Sequence, residues 1–509
     1  MTASYARDSQ VDRIRKLLVA NRGEIALRIF RTARALGIAT VGVYSDADAG
    51  APYLALADEV RRIGPPEAAA SYLNGEAILG AARAVGADAI HPGYGFLSER
   101  PGFARAVVES GLIFVGPPAA AMVALGDKVA ARRLAVQAGV PVVPGLDVAD
   151  PAAVRAFAAQ VGFPILVKAA AGGGGRGMRV VASERELDDA LQAATREAQA
   201  AFGDGRLFVE KYLARPRHVE VQVLGDRHGK IVTLGERDCS IQRRHQKVIE
   251  ESPAPGLDGA IRARMAQAAV SLFRAAGYVN AGTAEFLVEG ANFYFLEANT
   301  RLQVEHPVTE MRFGCDLVAE QLRIAAGEAV SDPPTPAGHA IECRIYAEDA
   351  ERAFQPVTGR VRYLNLPAGP GVRVDTHLAA GLEISTWYDG MLAKLVCWGT
   401  DRAQARERMV AALGEFSLLG VRHTAAFLRD VIASEAFSEA ALSTRFVEEF
   451  FAAWRPGPAD IDAALIAGAM AAEGGMASAP QLAARQSNAP AVSHSPWERL
   501  PRFELWGRR

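Results

Sequence analysis

Ala284-Glu-Phe-Leu-Val-Glu289, Gly290-Ala-Asn292, Phe293-Tyr-Phe-Leu-Glu297 reads as two strands joined by a three-residue loop. Pairing Glu289 with Phe293 sets Leu287 opposite Phe295 and Glu285 opposite Glu297. Two carboxylates directly opposed across a strand pair repel. A divalent cation between them removes the conflict, and hard oxygen ligands suit Mg²⁺ or Mn²⁺. The alternation runs on as Glu297-x-Asn299-x-Arg301-x-Gln303-x-Glu305. Period two in an extended chain sets these five polar groups on one face. Phe293 and Phe295 share that parity, which argues against a solvated face. A metal and anion site on antiparallel strands is expected.

Upstream, Glu236-Arg-Asp-Cys-Ser-Ile-Gln-Arg-Arg-His-Gln-Lys247 mixes acid, base, amide and imidazole, with Gln242, His245 and Lys247 close together. That mixture fits a nucleotide or anion pocket better than a wet surface. Further upstream, Pro164-Ile-Leu-Val-Lys168 reads as a strand, Gly172-Gly173-Gly174-Gly175-Arg-Gly177 as a loop and Met178–Val181 as a second strand. A Walker loop needs GxxxxGK[ST] before a helix; neither the lysine nor the helix follows. A strand–glycine–strand flap instead brings bare amides close to phosphate oxygens, and Lys168 adds a phosphate-seeking charge.

The N-terminal part alternates strand and helix. Leu17–Ala20 is a short apolar strand, and Asn21 with Glu24 marks a helix start. Ile25, Ile29, Ala33 and Leu36 follow at helical spacing, with Arg28, Arg31 and Arg34 expected on the opposite face. Gly37 stops the helix, and Val41–Tyr44 completes a βαβ unit, hence a parallel sheet. The first turn, Asn21-Arg22-Gly23-Glu24, lacks the GxGxxG of dinucleotide folds. His91-Pro-Gly-Tyr-Gly-Phe96 is a turn-rich loop at a strand end, the place where open α/β sheets bind ligands.

With 509 residues the chain exceeds one hydrophobic core, and three or four domains are expected. A net charge of −2 gives no global attraction to nucleic acid or anionic membrane. The longest apolar stretch near the C-terminus, Ala463–Ala472, falls well short of the ~20 residues a membrane span needs. There is no room for a signal peptide before Leu17, and the four cysteines form no CxxC pair. A cytoplasmic protein is expected. Of 56 basic residues seven are lysines, so 49 (56 − 7) are arginines. Against that background a retained lysine points to a site needing a compact ammonium.

Taken together, Val19-Ala-Asn-Arg-Gly-Glu24, His91-Pro-Gly-Tyr-Gly-Phe-Leu-Ser98, the glycine flap, Glu236–Lys247 and Glu297–Glu310 resemble the biotin carboxylase component of biotin-dependent carboxylases, in the ATP-grasp superfamily. The likeness runs from about Arg15 to Phe451. It implies an α/β ATP-grasp fold: a Rossmann-like parallel-sheet domain, a mobile lid and a mixed α/β C-terminal domain. By resemblance, Lys128, Lys168, Glu210, Lys211, Leu213, His218, Gln242, His245 and Leu287 contact ATP together with the flap glycines. Glu285, Glu297 and Asn299 match the Mg²⁺ or Mn²⁺ ligands. Lys247, Arg301, Gln303 and the Val304 backbone match the bicarbonate cradle, with Glu305 as the base. Arg344 matches the group that stabilises the biotin enolate, and Tyr94 a biotin contact. The implied partners are a biotin carboxyl carrier domain, a second copy in a homodimer or larger assembly, and a carboxyltransferase subunit. Arg100, Tyr53, Phe313 and Ala171 depart from the usual family pattern.

The expected division is 1–126 for the N-terminal domain, 127–213 for the linker and lid, 214–455 for the body and C-terminal domain, and 456–509 for a linker and the start of a following domain. Another ATP-grasp ligase, of the carbamoyl-phosphate type, would share the metal strand and flap but not the Gln242–Lys247 run with Arg301 and Glu305. A pyruvate-carboxylase-type biotin carboxylase is the nearer alternative. A non-catalytic nucleotide-binding regulator would have lost at least one of Glu285, Glu297, Arg301, Glu305 or Arg344, and all are present. Beyond Met391-Leu-Ala-Lys394 the remaining 115 residues (509 − 394) hold no lysine, so biotin is expected as a carrier-bound substrate, not as a group attached to this chain.

Overall fold

The computed structural model describes residues 14–148, 151–169, 178–202, 207–244 and 246–457. The described residues up to Arg455 form one compact unit. The glycines Gly172 to Gly175, Ala171, His245 and the tail expected to open a further domain lie outside the described residues.

Strand β1 (Lys16–Val19), helix α1 (Gly23–Ala35) and strand β2 (Ala39–Ser45) form the expected βαβ unit. With β3 (Glu59–Gly64), β4 (Ala89–His91) and β5 (Ile113–Phe114) they build a parallel sheet in the order β3-β2-β1-β4-β5. The strand order reverses between β1 and β4, so their carboxyl-terminal loops meet at the crevice where α/β sheets bind ligands. Ile25, Ile29 and Ala33 bury one side of α1, and Gly37, with φ 72°, ends it. Two expectations for this helix are corrected. Arg28 is buried, not solvated with Arg31 and Arg34, because Glu310 and Asp316 receive its guanidinium at 2.7 and 2.8 Å. Asn21 makes no cap to α1. Its Nδ2 donates instead to the carbonyls of Pro92 and Tyr94, both at 2.7 Å, tying the loop after β4 to the loop after β1. Gly93, with φ 65°, permits this closeness, since a Cβ there would lie 2.9 Å from Asn21 Nδ2.

A four-stranded antiparallel sheet follows, built from β6 (Gly145–Val148), β7 (Ile165–Ala169), β8 (Met178–Val181) and β9 (Leu207–Lys211) in the order β6-β9-β7-β8. Helices α2 (Pro151–Val161) and α3 (Leu187–Phe202) cover it, with Val154, Ile165, Val167, Leu191 and Val209 in a small core of its own.

The largest sheet is antiparallel. Its strands are β10 (Arg217–Gly225), β11 (Ile231–Arg243), β12 (Gln246–Ser252), β13 (Asn280–Glu289), β14 (Asn292–Asn299), β15 (His339–Tyr346), β16 (Val372–Thr376) and β17 (Met391–Gly399). They run β14-β13-β10-β11-β12-β15-β17-β16. Period two divides each strand between two environments. On β15, Ile341, Cys343 and Ile345 enter an apolar core, while Glu342 and Arg344 alternate with them. Helix α4 (His306–Phe313) packs against β11, β12, β15 and β17.

The β13–β14 hairpin corrects the expected loop. Its turn holds two residues, pairing Glu289 with Asn292 and Phe286 with Phe295. A bulge at Leu296 then shifts the register by one, and Glu285 still pairs with Glu297. The bulge also reverses the expected parity. Phe293, Phe295 and Ala298 point into the apolar core, so the phenylalanines and Glu297 occupy opposite faces. Strand β14 ends at Asn299, and residues 300–305 turn instead of continuing the alternation. The departures Tyr53 and Phe313 are accommodated by packing. Tyr53 is fully buried and bonded to the Val43 carbonyl and the Tyr72 hydroxyl, each at 3.1 Å. Phe313 joins the core beside α1, and Arg100 takes the N-cap position of a helix at the surface.

Candidate active site

The site forms where the polar alternate positions of β10–β13 meet the turn from Asn299 to Glu305. Lys247 on β12 sits at its centre. Its Nζ donates to Glu220 at 2.7 Å, Glu285 at 2.8 Å and Glu305 at 2.7 Å. Burial opposes the ammonium charge, but the three carboxylates outweigh it and hold Lys247 well above the usual lysine range. Burial likewise opposes ionisation of Glu285 and Glu305. Lys247 and their other donors win, and both stay well below the usual carboxylate range. Glu305 is therefore an ionised, buried carboxylate.

Arg344 donates to the second oxygen of Glu305 at 2.8 Å, opposite Lys247. Arg301 spans Glu99 at 2.9 Å and Asn299 Oδ1 at 2.8 Å. Gln303 donates to Glu285 and accepts from Arg237, at 2.7 and 2.9 Å. The Val304 carbonyl accepts from Lys394 Nζ at 3.1 Å. Tyr94 lies below that ammonium, 5.9 Å from ring centre to Nζ. Tyr94, Arg301, Val304 and Arg344 line one cavity of about 470 Å³, which the β1 and β4 loops close from the other side. Four of the expected bicarbonate and biotin positions thus share one space, and Glu305 joins it to Lys247 through Arg344.

The nucleotide set divides. His218 bonds Glu285 at 2.7 Å and Gln242 at 2.6 Å, and pairs in register with Leu287, so these residues join the Lys247 cluster. Lys168 pairs with Glu210 between β7 and β9, in the separate four-stranded sheet that ends with Lys211 and the buried Leu213. Lys128 reaches Glu297 at 3.2 Å at the surface. Among the expected metal ligands, Asn299 touches Glu285 at 2.7 Å, and Glu297 sits opposite in register. The hard oxygens fit Mg²⁺ or Mn²⁺. A tighter set of possible ligand atoms comprises His218, Glu220 and Glu285, all within 4.8 Å of one another.

Several residues here escape a reading of the sequence. Arg237 is fully buried and bonds Glu220 at 2.5 Å, Gln222 at 2.7 Å and Thr309 at 2.9 Å besides Gln303. Lys394 is also fully buried and lies 3.3 Å from Glu24. The scarcity of lysine was its one signal.

Residues 13–122 match the family described as biotin carboxylase, N-terminal domain, residues 127–332 the carbamoyl-phosphate synthase L chain ATP-binding domain, and residues 342–449 the biotin carboxylase C-terminal domain. The biotin carboxylase of Nostoc is 48% identical over 440 residues, covering 85% of this chain and 98% of that protein. The chain belongs to the biotin carboxylase family. As a biotin carboxylase it resembles in structure the βγ-ATP complex of the Campylobacter jejuni enzyme, with a TM-score of 0.79 and 44% identity over 86% of this chain and 99% of that one. The mitochondrial methylcrotonoyl-CoA carboxylase alpha subunit of Glycine max is 50% identical over 454 residues, 88% of this chain; the chain spans 62% of that relative's length. The propionyl-CoA carboxylase alpha chain of Ruegeria pomeroyi is 46% identical over 460 residues, covering 85% of this chain and 68% of that protein.

Proposed function

We propose that this chain carboxylates the ureido nitrogen of carrier-bound biotin, using ATP and bicarbonate, as the first half-reaction of an acyl-CoA carboxylase. The observation that carries the reading is Glu305, held between Lys247 and Arg344 at 2.7 and 2.8 Å, next to the cavity that Val304 and Arg344 line. In this reading Lys247, Arg301, Gln303 and the Val304 backbone hold bicarbonate, and Glu305 takes its proton. The resulting dianion attacks the γ-phosphate of ATP, giving ADP and carboxyphosphate. Glu285, Glu297 and Asn299 would hold Mg²⁺ or Mn²⁺, which neutralises phosphate charge when bound. Carboxyphosphate is prone to hydrolysis, which gives the sheet β6–β9 a purpose as a lid that excludes water. It releases CO₂ beside biotin, the phosphate removes the ureido proton, and Arg344 holds the charge on the ureido oxygen.

The domain division 1–126, 127–213, 214–455 and 456–509 belongs to this proposal, as do a carrier domain, a homodimer and a separate carboxyltransferase. The acyl acceptor is set by the carboxyltransferase, which fits relatives named for different acceptors at near-equal identity. Four free cysteines fit a reducing compartment, for which we propose the cytoplasm. Among the described residues no helix is long and apolar enough to cross a membrane. The test is ATP hydrolysis with free biotin and Mg²⁺: turnover should require bicarbonate, and turnover unaffected by its omission would overturn the reading.

A further inference from the structure

Glu250 and Glu342 face each other directly on the neighbouring strands β12 and β15, and both are fully buried. Among the described residues neither carboxylate accepts a hydrogen bond. Leaving buried ionised carboxylates without donors is strongly unfavourable. The cations nearby are already matched. Arg344 Nη2 lies 2.6 Å from Glu250 Oε1, but its formed hydrogen bond goes to Glu305. Lys394 on β17 lies against Glu24 and Asp375 and donates to Val304. Lys247 is shared by Glu220, Glu285 and Glu305. The other titratable groups around the pair are neutral. Burial and surrounding cations push His306 of α4 well below the usual histidine range. Burial pushes the Tyr346 phenol up to about 12 and the thiols of Cys239 and Cys343 well above their ordinary value. Among the described residues no cation is left to balance a second charge on the pair.

We propose that Glu250 and Glu342 together hold one proton and act as a positioning pair for Arg344, whose guanidinium then faces one charge from the pair and one from Glu305. Burial agrees, pushing Glu250 up to about 7 and Glu342 well above the usual carboxylate range. The consequence rests on the reading of Glu305 as the base. When Glu305 takes the bicarbonate proton, Arg344 loses one of its two compensating charges, just before the ureido oxygen becomes negative. A doubly ionised pair would keep two carboxylate charges beside Arg344 even then, and the enolate would gain little from it.

The test uses the full chain as Glu250→Gln, Glu342→Gln and the double variant. A single glutamine leaves the pair at one negative charge, as in the proposed state; the double variant removes that charge. Infrared difference spectra of wild type minus each single variant should show the carbonyl band of a protonated carboxyl, with none remaining from the partner glutamate. Each single variant should keep kcat for bicarbonate- and biotin-dependent ATP turnover within about threefold and lose the alkaline fall shown by wild type between about pH 7 and 9. The double variant should lose kcat more than about tenfold. Absence of the band, or losses above about thirtyfold in both single variants with unchanged melting, would overturn the pair. A band that persists in either single variant would instead mean two protons and equally refute it. If wild type shows no biotin-dependent turnover, the functional reading fails, while the spectra still decide the pair.

Discussion

Replacing Lys247 by arginine keeps the charge and changes its shape. Three carboxylate oxygens converge on Nζ at 2.7–2.8 Å, from Glu220, Glu285 and Glu305, on two strands and a turn. An ammonium directs three donors pyramidally from one atom, whereas a guanidinium is planar and presents its donors in a fork. A fork can serve two of these acceptors in its plane and leaves the third unmatched. Each hydrogen bond to a charged group contributes about 1.5–3 kcal/mol. Losing one where bicarbonate is to be held should lower kcat by about 10- to 150-fold. Steady-state turnover with saturating bicarbonate measures this, with ATP affinity read separately by titration calorimetry and folding by melting temperature. ATP affinity should stay within about threefold, because the proposed reading has Lys247 act on Glu305 and bicarbonate. Wild-type turnover in Lys247→Arg, with unchanged melting, would refute the argument that the site needs a point charge.

Arg344→Ala and Glu305→Gln should each abolish biotin carboxylation while ATP still binds, since both act on charge that develops during reaction; isotopic bicarbonate incorporation checks this. Arg237→Met should destabilise the fold by about 3–5 kcal/mol, read from the urea midpoint, because it leaves the fully buried Glu220 with Lys247 as its one cation. Burial raises Glu24 to about 7 from 4.5, so its proton favours the folded state below about pH 4.5, and that advantage is lost as pH rises toward 7. Glu24→Gln should therefore raise the melting temperature more at about pH 8 than at about pH 5, the difference amounting to about 3 kcal/mol.

The parallel sheet was legible from the apolar strand at Leu17, the helical spacing of Ile25, Ile29 and Ala33, and the stop at Gly37, because those signals are local. The Glu285–Glu297 pair was legible too, although by a route that the bulge at Leu296 corrects. Two errors of register, one in the turn and one at the bulge, cancel at that pair. The buried charged layer was not legible. On β10, Val219, Val221 and Val223 alternate with polar residues, a pattern shared by any strand with one wet face. Helix α4, arriving from far along the chain, packs over the neighbouring strands β11 and β12, and its Thr309 accepts from the buried Arg237. Arg28 was misplaced for the same reason, since its partners Glu310 and Asp316 lie nearly three hundred residues away.

The extra residue in β14 divides the hairpin into two mechanically separate halves. Toward its tip, Phe286, Phe293 and Phe295 interlock edge-to-face as structural ballast. Past Leu296, itself 40% exposed, the same strand brings Glu297 and Asn299 beside Glu285. Leu296 thus works as a phase coupler: changes to the tip that preserve its two-residue turn leave the downstream side chains aimed as before. Deleting that one leucine would rotate either the aromatic block or Glu297 and Asn299 to the wrong face, so a single codon there matters more than its exposed, apolar side chain implies.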